Sequence, residues 1–227
     1  DAQESRGLGD VYKRQSLDSI ASNNSIKRES CVRLMYGYEY IDSKKAMEYA
    51  IKVLQFDKID NWLVSKAKII ISRYDFELGN YFKAKNIFRQ IVELDKNSEG
   101  AEAMYNLIYL TYLDDSLSLA EKLIFEMPNE FSDDFYIAKS FILLSDIYLK
   151  QNNKFQAKAT LESIIENYSG QDLKIIAQKK REEIIESEIV IEKNEIDTYY
   201  MDIFEDDLEY ELITDTLNKI NTFKNEE

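Results

Sequence analysis

The sequence predicts an all-α fold, an α-solenoid of stacked antiparallel helix hairpins closed by a capping helix and followed by an acidic tail. Three observations carry that expectation. First, four segments share an alanine in a similar setting: KKAMEYAIKVL (44–54), FKAKNIFRQIV (82–92), SLAEKLIFEM (118–127) and FQAKATLESII (155–165). Their alanines, Ala46, Ala84, Ala120 and Ala157, recur every 36 to 38 residues, a period that suits a helix–turn–helix unit stacked on copies of itself. Second, the 227 residues include one proline and six glycines, too few for a sheet-rich fold with many tight turns. Third, apolar residues between the turns follow the spacing of one helical face.

The elements follow in order. The first unit is the weakest, with a helix ending near Tyr40, a turn at Asp42-Ser43 and a return through Leu54. In the second, Asn61 precedes a helix to Leu78, Gly79-Asn80 turns it, and Tyr81 to Leu94 return. In the third, Ser98 precedes a helix to Leu113, Asp114-Asp115 turns it, and Ser116 to Met127 return. Pro128 is expected to stop that helix, because proline cannot donate the next hydrogen bond. The fourth is the clearest. Ser132-Asp133-Asp134 offers a cap and two acids at the positive end of a helix. That helix runs from about Phe135 to Gln151, with Leu144, Ile147, Tyr148 and Gln151 on one face. Asn152-Asn153 turns it, since Asn tolerates the left-handed conformation. Lys154 to Tyr168 return, with Ala157, Leu161, Ile164 and Ile165 inward, and Gly170 ends the unit. The repeated alanines mark the place where two helices cross closely and a larger side chain would push them apart. Asp172 to Val190 reads as a capping helix with Leu173, Ile176, Ala177, Ile184 and Ile185 inward. Its wet side would carry Arg181-Glu182-Glu183 and Glu186-Ser187-Glu188.

These elements divide the chain into three parts. Residues 1–15 are read as a non-native or disordered segment, left out of fold reasoning. Gly7-Leu8-Gly9-Asp10 within it is no phosphate loop, lacking the third glycine and the preceding strand. The repeat domain spans 16–190. Residues 191–227 are expected to be an acidic, largely disordered tail. The chain opens on Asp1, and the protein is expected to extend further upstream, where any signal peptide or lipid anchor would lie.

The net charge of −14 is concentrated in the tail: residues 181–227 hold 16 acids and 4 bases. The remaining body is nearly neutral. Neither part is the electropositive footprint of a nucleic-acid binder. In the tail, acids alternate with aromatics from Tyr199 to Tyr210. It reads either as a solvating segment or as a linear motif that docks on a partner or back onto the repeats. A short helix near Glu209–Phe223 could present Leu212, Ile213, Thr216, Leu217 and Ile220. A metal site is disfavoured, because the order of a calcium loop is absent.

No catalytic residue, cofactor or metal is expected. The chain has no histidine, which removes the commonest general base and zinc ligand. Cys31 is the only cysteine, so no intrachain disulfide forms, and it reads as a small buried hydrophobe. Signature loops of hydrolases, nucleotide-binding folds and dinucleotide-binding folds are missing. No stretch reaches the ~18 uninterrupted apolar residues of a membrane span.

The repeating unit resembles the tetratricopeptide repeat (TPR). The matching positions are Leu144-Ser145, Tyr148, Asn152, Ala157 and Leu161 in unit four. Unit two offers Ile71-Ser72, Gly79, Tyr81, Ala84 and Phe88, and unit three Leu107-Ile108, Ala120 and Ile124. The motif's second alanine is replaced by Val53, Ile91, Met127 and Ile164. The resemblance covers about residues 29–190. Residues 138–168 also resemble the C-terminal repeat of long bacterial TPR proteins, which are often associated with the cell envelope.

The resemblance implies a non-enzymatic scaffold that binds a peptide or protein segment on the concave face of the stack. It also implies part of a larger bacterial protein in the periplasm or at the outer membrane. In such a stack the first helix of each hairpin lines the groove. By register the groove residues are Lys66, Ile69, Arg73 and Phe76 in unit two, and Glu102, Tyr105, Tyr109 and Tyr112 in unit three. Unit four adds Lys139, Ile142, Asp146 and Leu149. The groove would be aromatic in its middle and basic at both sides, suiting an acidic or C-terminal peptide. Against this stands the expectation that the tyrosines pack between hairpins and the charges are solvated. The alternative function is a structural end-cap of a longer array whose acidic aromatic tail is the binding element.

Overall fold

A computed structural model describes residues 24–189. The expectations for residues 1–15 and for the tail 191–227 lie outside the described residues. Eight helices run in sequence: α1 (Asn24–Tyr38), α2 (Ser43–Leu54), α3 (Asn61–Glu77), α4 (Tyr81–Leu94), α5 (Ser98–Leu113), α6 (Leu117–Glu130), α7 (Asp134–Lys150) and α8 (Lys154–Asn167). A further helix, α9, occupies 171–189. Each helix from α1 to α8 packs on the next, and the first helices of neighbouring hairpins also touch, α3 on α5 and α5 on α7. That connectivity is an all-α solenoid of antiparallel hairpins.

The turns inside hairpins two to four are copies of one another. Each places one residue in the left-handed region: Gly79 (φ 75), Asp115 (φ 55) and Asn152 (φ 57). The following N–H then reaches back five residues: Asn80 to the Asp75 carbonyl, Ser116 to Thr111, and Asn153 to Tyr148, at 2.8, 3.1 and 2.8 Å. This satisfies carbonyls that the end of a helix leaves unpaired. Each such turn lies five residues before its alanine, so the turn fixes where the return helix meets the outgoing one. The first hairpin lacks the left-handed residue. There the Asp42 side chain caps the Lys45 N–H at 3.0 Å.

All four alanines are buried, at 0–1% exposure. Around them the core gathers into two groups, one spanning α1 to α5 and one spanning α5 to α9, so that α5 contributes to both. Leu173, Ala177 and Ile184 of α9 belong to the second, so this helix lays its apolar stripe on the last described hairpin. Ile176 is instead exposed. Gly100 admits a close approach. A Cβ there would lie 1.9 Å from the Asp95 carbonyl oxygen and 2.9 Å from the Phe131 ring.

One boundary corrects the sequence expectation. Pro128 does not stop α6, which continues to Glu130. The missing N–H costs one hydrogen bond in the last turn, and the Phe131 N–H still reaches the Met127 carbonyl at 3.0 Å. Proline so near a C-terminus removes a bond without interrupting a helix interior.

Candidate functional site

The first helices of the hairpins turn one face toward each other, and long side chains bridge from helix to helix across it. Positions three and four apart on a helix share a face, so one short stretch of each helix supplies several bridging groups.

The bridge between α1, α3 and α5 is charged. Lys66 Nζ donates to Glu39 Oε1 at 2.8 Å, and Arg73 Nη1 donates to the same oxygen at 2.7 Å. Arg73 also grips both oxygens of Glu102 through Nε and Nη2. Tyr136 Oη on α7 donates to Glu102 Oε2 at 2.8 Å. The Glu39 and Glu102 side chains are only 4% and 10% exposed. Carboxylates this buried are tolerable only when paired and hydrogen-bonded. Burial alone would lower the Arg73 pKa, but bonding and charge from Glu102 and then Glu39 outweigh it and raise it. Burial, and then the Glu102 charge, push the Tyr136 phenol up.

The bridge between α3, α5 and α7 is aromatic. Ring centroids lie 6.1 Å apart for Phe76 and Tyr109, 6.3 Å for Tyr105 and Tyr109, 6.3 Å for Tyr109 and Tyr112, and 6.2 Å for Tyr105 and Tyr136. These are distances at which offset or tilted rings attract. Lys139 Nζ stands 4.5 Å from the Tyr105 centroid, 5.7 Å from Phe135 and 5.9 Å from Tyr136. Burial lowers the Lys139 pKa; the Glu102 charge opposes this and the Arg73 charge adds to it. Tyr105 is pushed up to about 12, by burial first and then by Tyr109 and Asp146. Between the charged and aromatic parts lies a pocket of about 150 Å³, lined by residues that include Arg73, Phe76, Glu102, Tyr105, Asn106, Tyr136 and Lys139. A larger hollow of about 690 Å³ lies at the other end, between α1 and the end of α2, with Lys27, Arg28, Lys52 and Asp57 in its wall.

Of the residues that the sequence assigned to a groove, the structure brings Arg73, Phe76, Glu102, Tyr105 and Lys139 around this pocket. Tyr109 and Tyr112 continue the ring row along α5, and Lys150 stands 4.2 Å above the Tyr112 centroid. Asp146 faces α9, where Lys180 Nζ donates to it at 2.6 Å. Leu149 is half-buried against the second core group.

Three placements correct the sequence assignment. Ile69 and Ile142 are core residues, 0% and 7% exposed. They occupy the register position of Tyr105, but an isoleucine side chain ends inside the helix–helix contact where a tyrosine emerges from it. The basic side formed by Lys66 and Arg73 is not a free cationic surface, because Glu39, Glu99 and Glu102 face it. Sequence reasoning missed Glu39 and Tyr136. A usable signal existed for both: Glu39 precedes Arg73, and Glu102 precedes Tyr136, by one interval of 34 residues.

Aromatic faces, one half-buried ammonium and a shallow pocket suit recognition of a side chain more than bond-making. Among the described residues no cluster of His, Cys, Asp or Glu could hold a metal ion. No described helix is long and apolar enough to cross a membrane. Residues 135–170, covering α7, α8 and their junction with α9, match the family model described as a tetratricopeptide repeat. No curated protein matches the chain.

Proposed function

We propose that this chain, a tetratricopeptide-repeat protein, is a non-catalytic scaffold that holds an extended peptide or protein segment along α3, α5 and α7. Tetratricopeptide repeats generally mediate protein–protein interaction. The observation that carries the finer proposal is the row of half-buried rings, Phe76, Tyr105, Tyr109, Tyr112 and Tyr136, beside a pocket edged by Lys139. Such rings offer a large contact area at low cost in side-chain entropy. Lys66 and Arg73, already paired, would add rigidity rather than attraction. The resemblance of residues 138–168 supports the further proposal that this is part of a larger bacterial scaffold of the periplasm or outer membrane, which cell fractionation would test.

One observation favours the end-cap alternative. Lys66, Arg73 and Lys180 all direct their charge at neighbouring helices of the same stack. In that reading the face exists to join repeats of a longer array, and the acidic aromatic tail is the binding element.

A photo-crosslinking residue placed at Tyr109, and separately at exposed Phe125 on α6, distinguishes the two. The scaffold reading expects one partner captured at position 109 and not at 125, with capture lost in Tyr105→Ala. Capture that ignores both position and Tyr105→Ala would overturn it.

A further inference from the structure

We propose that the acidic aromatic segment 199–210 of this same chain occupies the groove in cis and rests its carboxylates on Lys139. The inference depends on the α3–α5–α7 face being a binding face. Four cations line or border that face with a carboxylate within ion-pair distance: Lys66, Arg73, Lys150 and Lys180. Lys139 differs. Among the described residues its recorded close partners are three aromatic rings. An ammonium over rings at a partly desolvated site is attracted most by an anion that brings its own apolar cover, because less water then screens the pair.

The segment supplies that combination. Residues 199–210 read YYMDIFEDDLEY, with Asp202, Glu205, Asp206, Asp207 and Glu209 set among four aromatic residues. No Lys or Arg occurs between Lys193 and Lys219, so the stretch carries one sign of charge. Every carboxylate in the stretch lies within three residues of a ring. A ring can enter the 150 Å³ pocket while its acidic neighbour meets Lys139.

The reach is sufficient. The end of α9 is held beside the start of α8, with Lys154 Nζ on Ser187 Oγ at 3.2 Å and Lys158 Nζ on Glu188 Oε2 at 2.6 Å. From that level back along α7 to Lys139 is about fourteen residues, or ~21 Å at helical rise. The roughly ten residues between 189 and 199 can span up to ~33 Å. Tethering would give the segment an effective concentration on the order of 1 mM, enough to weaken a competing ligand about tenfold if its own affinity is near 0.1 mM. Partner binding would then require displacement of the chain's own tail.

The test uses the full chain. A fluorescent peptide with the sequence of 199–210 is titrated into the native chain and into the variant Glu205→Lys, Asp206→Lys, Asp207→Lys. Binding about tenfold tighter to the variant is expected, and Lys139→Gln in the variant should abolish it with helical circular dichroism unchanged. Carbodiimide coupling of the dilute native chain should join Lys139 to Glu205, Asp206 or Asp207 within one molecule. Equal peptide binding to native chain and variant would overturn the proposal, as would coupling found only between copies of a mixed isotope-labelled sample. Partner capture at position 109 that persists beside equal peptide binding would sink the tail alone. Loss of Tyr105-dependent capture would remove the groove reading as well.

Discussion

At one end of the inner face Arg73 stands between Glu39 and Glu102. Two hairpins further on, Lys139 stands over Tyr105, Phe135 and Tyr136, with no carboxylate at ion-pair distance among the described residues. Both cations sit on the first helix of their hairpin, at nearby register, and both are half-buried. The difference lies in what the next helix presents. Glu102 occupies the opening position of the groove stripe on α5, and Arg73 reaches it across the helix contact. The neighbouring position on the same stripe is Tyr105, which offers Lys139 a face instead of a charge. One helix thus serves two bridges, one in which a cation meets carboxylates and one in which a cation meets aromatic faces.

The sharpest way to break that contrast is to remove each cation. Arg73→Ala leaves Glu102 buried with Tyr136 as its remaining bridging partner, while Lys66 still covers Glu39. Breaking one side of a buried pair costs 3–5 kcal/mol when both groups are dry. Solvent reaches part of Arg73, so a loss of about 2–4 kcal/mol is expected in urea unfolding. Lys139→Ala should change stability by less than about 1 kcal/mol, since it abandons no buried carboxylate. Equal losses in the two variants would mean that Lys139 is as structural as Arg73.

A smaller effect tests the frame beneath both bridges. Ala157 is fully buried where α8 crosses α7. Ala157→Leu should cost ~1–3 kcal/mol by overpacking. Because α7 carries Lys139 and Tyr136, the variant should also disturb the aromatic bridge more than the Lys66–Glu39 pair. An unchanged melting temperature would show that the alanine is not a crossing point.

Much of this frame could be read from the sequence, for a physical reason. Ala46, Ala84, Ala120 and Ala157 are constrained by backbone approach, and Gly79, Asp115 and Asn152 by backbone conformation. Both constraints act on residue identity directly. The groove was less legible because exposure there depends on side-chain length against the neighbouring helix. Ile69, Tyr105 and Ile142 share a register, yet only the tyrosine is long enough to emerge. Glu39 lay hidden for a different reason: it follows the end of α1 in the hairpin whose turn departs from the others. Pro128 was misjudged because its position within the last turn, not its presence, decides what it costs.

The finest distinction between the two bridges is in alkaline solution. Arg73 keeps its charge there, its pKa being raised further by Glu102 and Glu39 against the effect of burial. The aromatic bridge does titrate. Tyr105 is pushed from 10.0 to about 12 by burial, Tyr109 and Asp146, and Tyr136 moves the same way. The folded chain therefore holds the Tyr105 proton between pH 10 and about 12, where the unfolded chain has released it. Stability rises with pH only where the unfolded state binds more protons; here it binds fewer. The contribution is complete below pH 10 and is lost as pH climbs toward 12. The unfolding midpoint should fall across that window, and phenolate absorbance should show a late component that disappears in Tyr105→Phe. The Phe variant should also fall less steeply. Arg73→Ala should lower the whole curve while keeping the late component, though Tyr136, losing the Arg73 charge that lowers its pKa, would shift within it. If Tyr105→Phe leaves the alkaline limb unaltered, the rings are wetter than their packing indicates, and Lys139 lies over a surface too solvated to favour an anion.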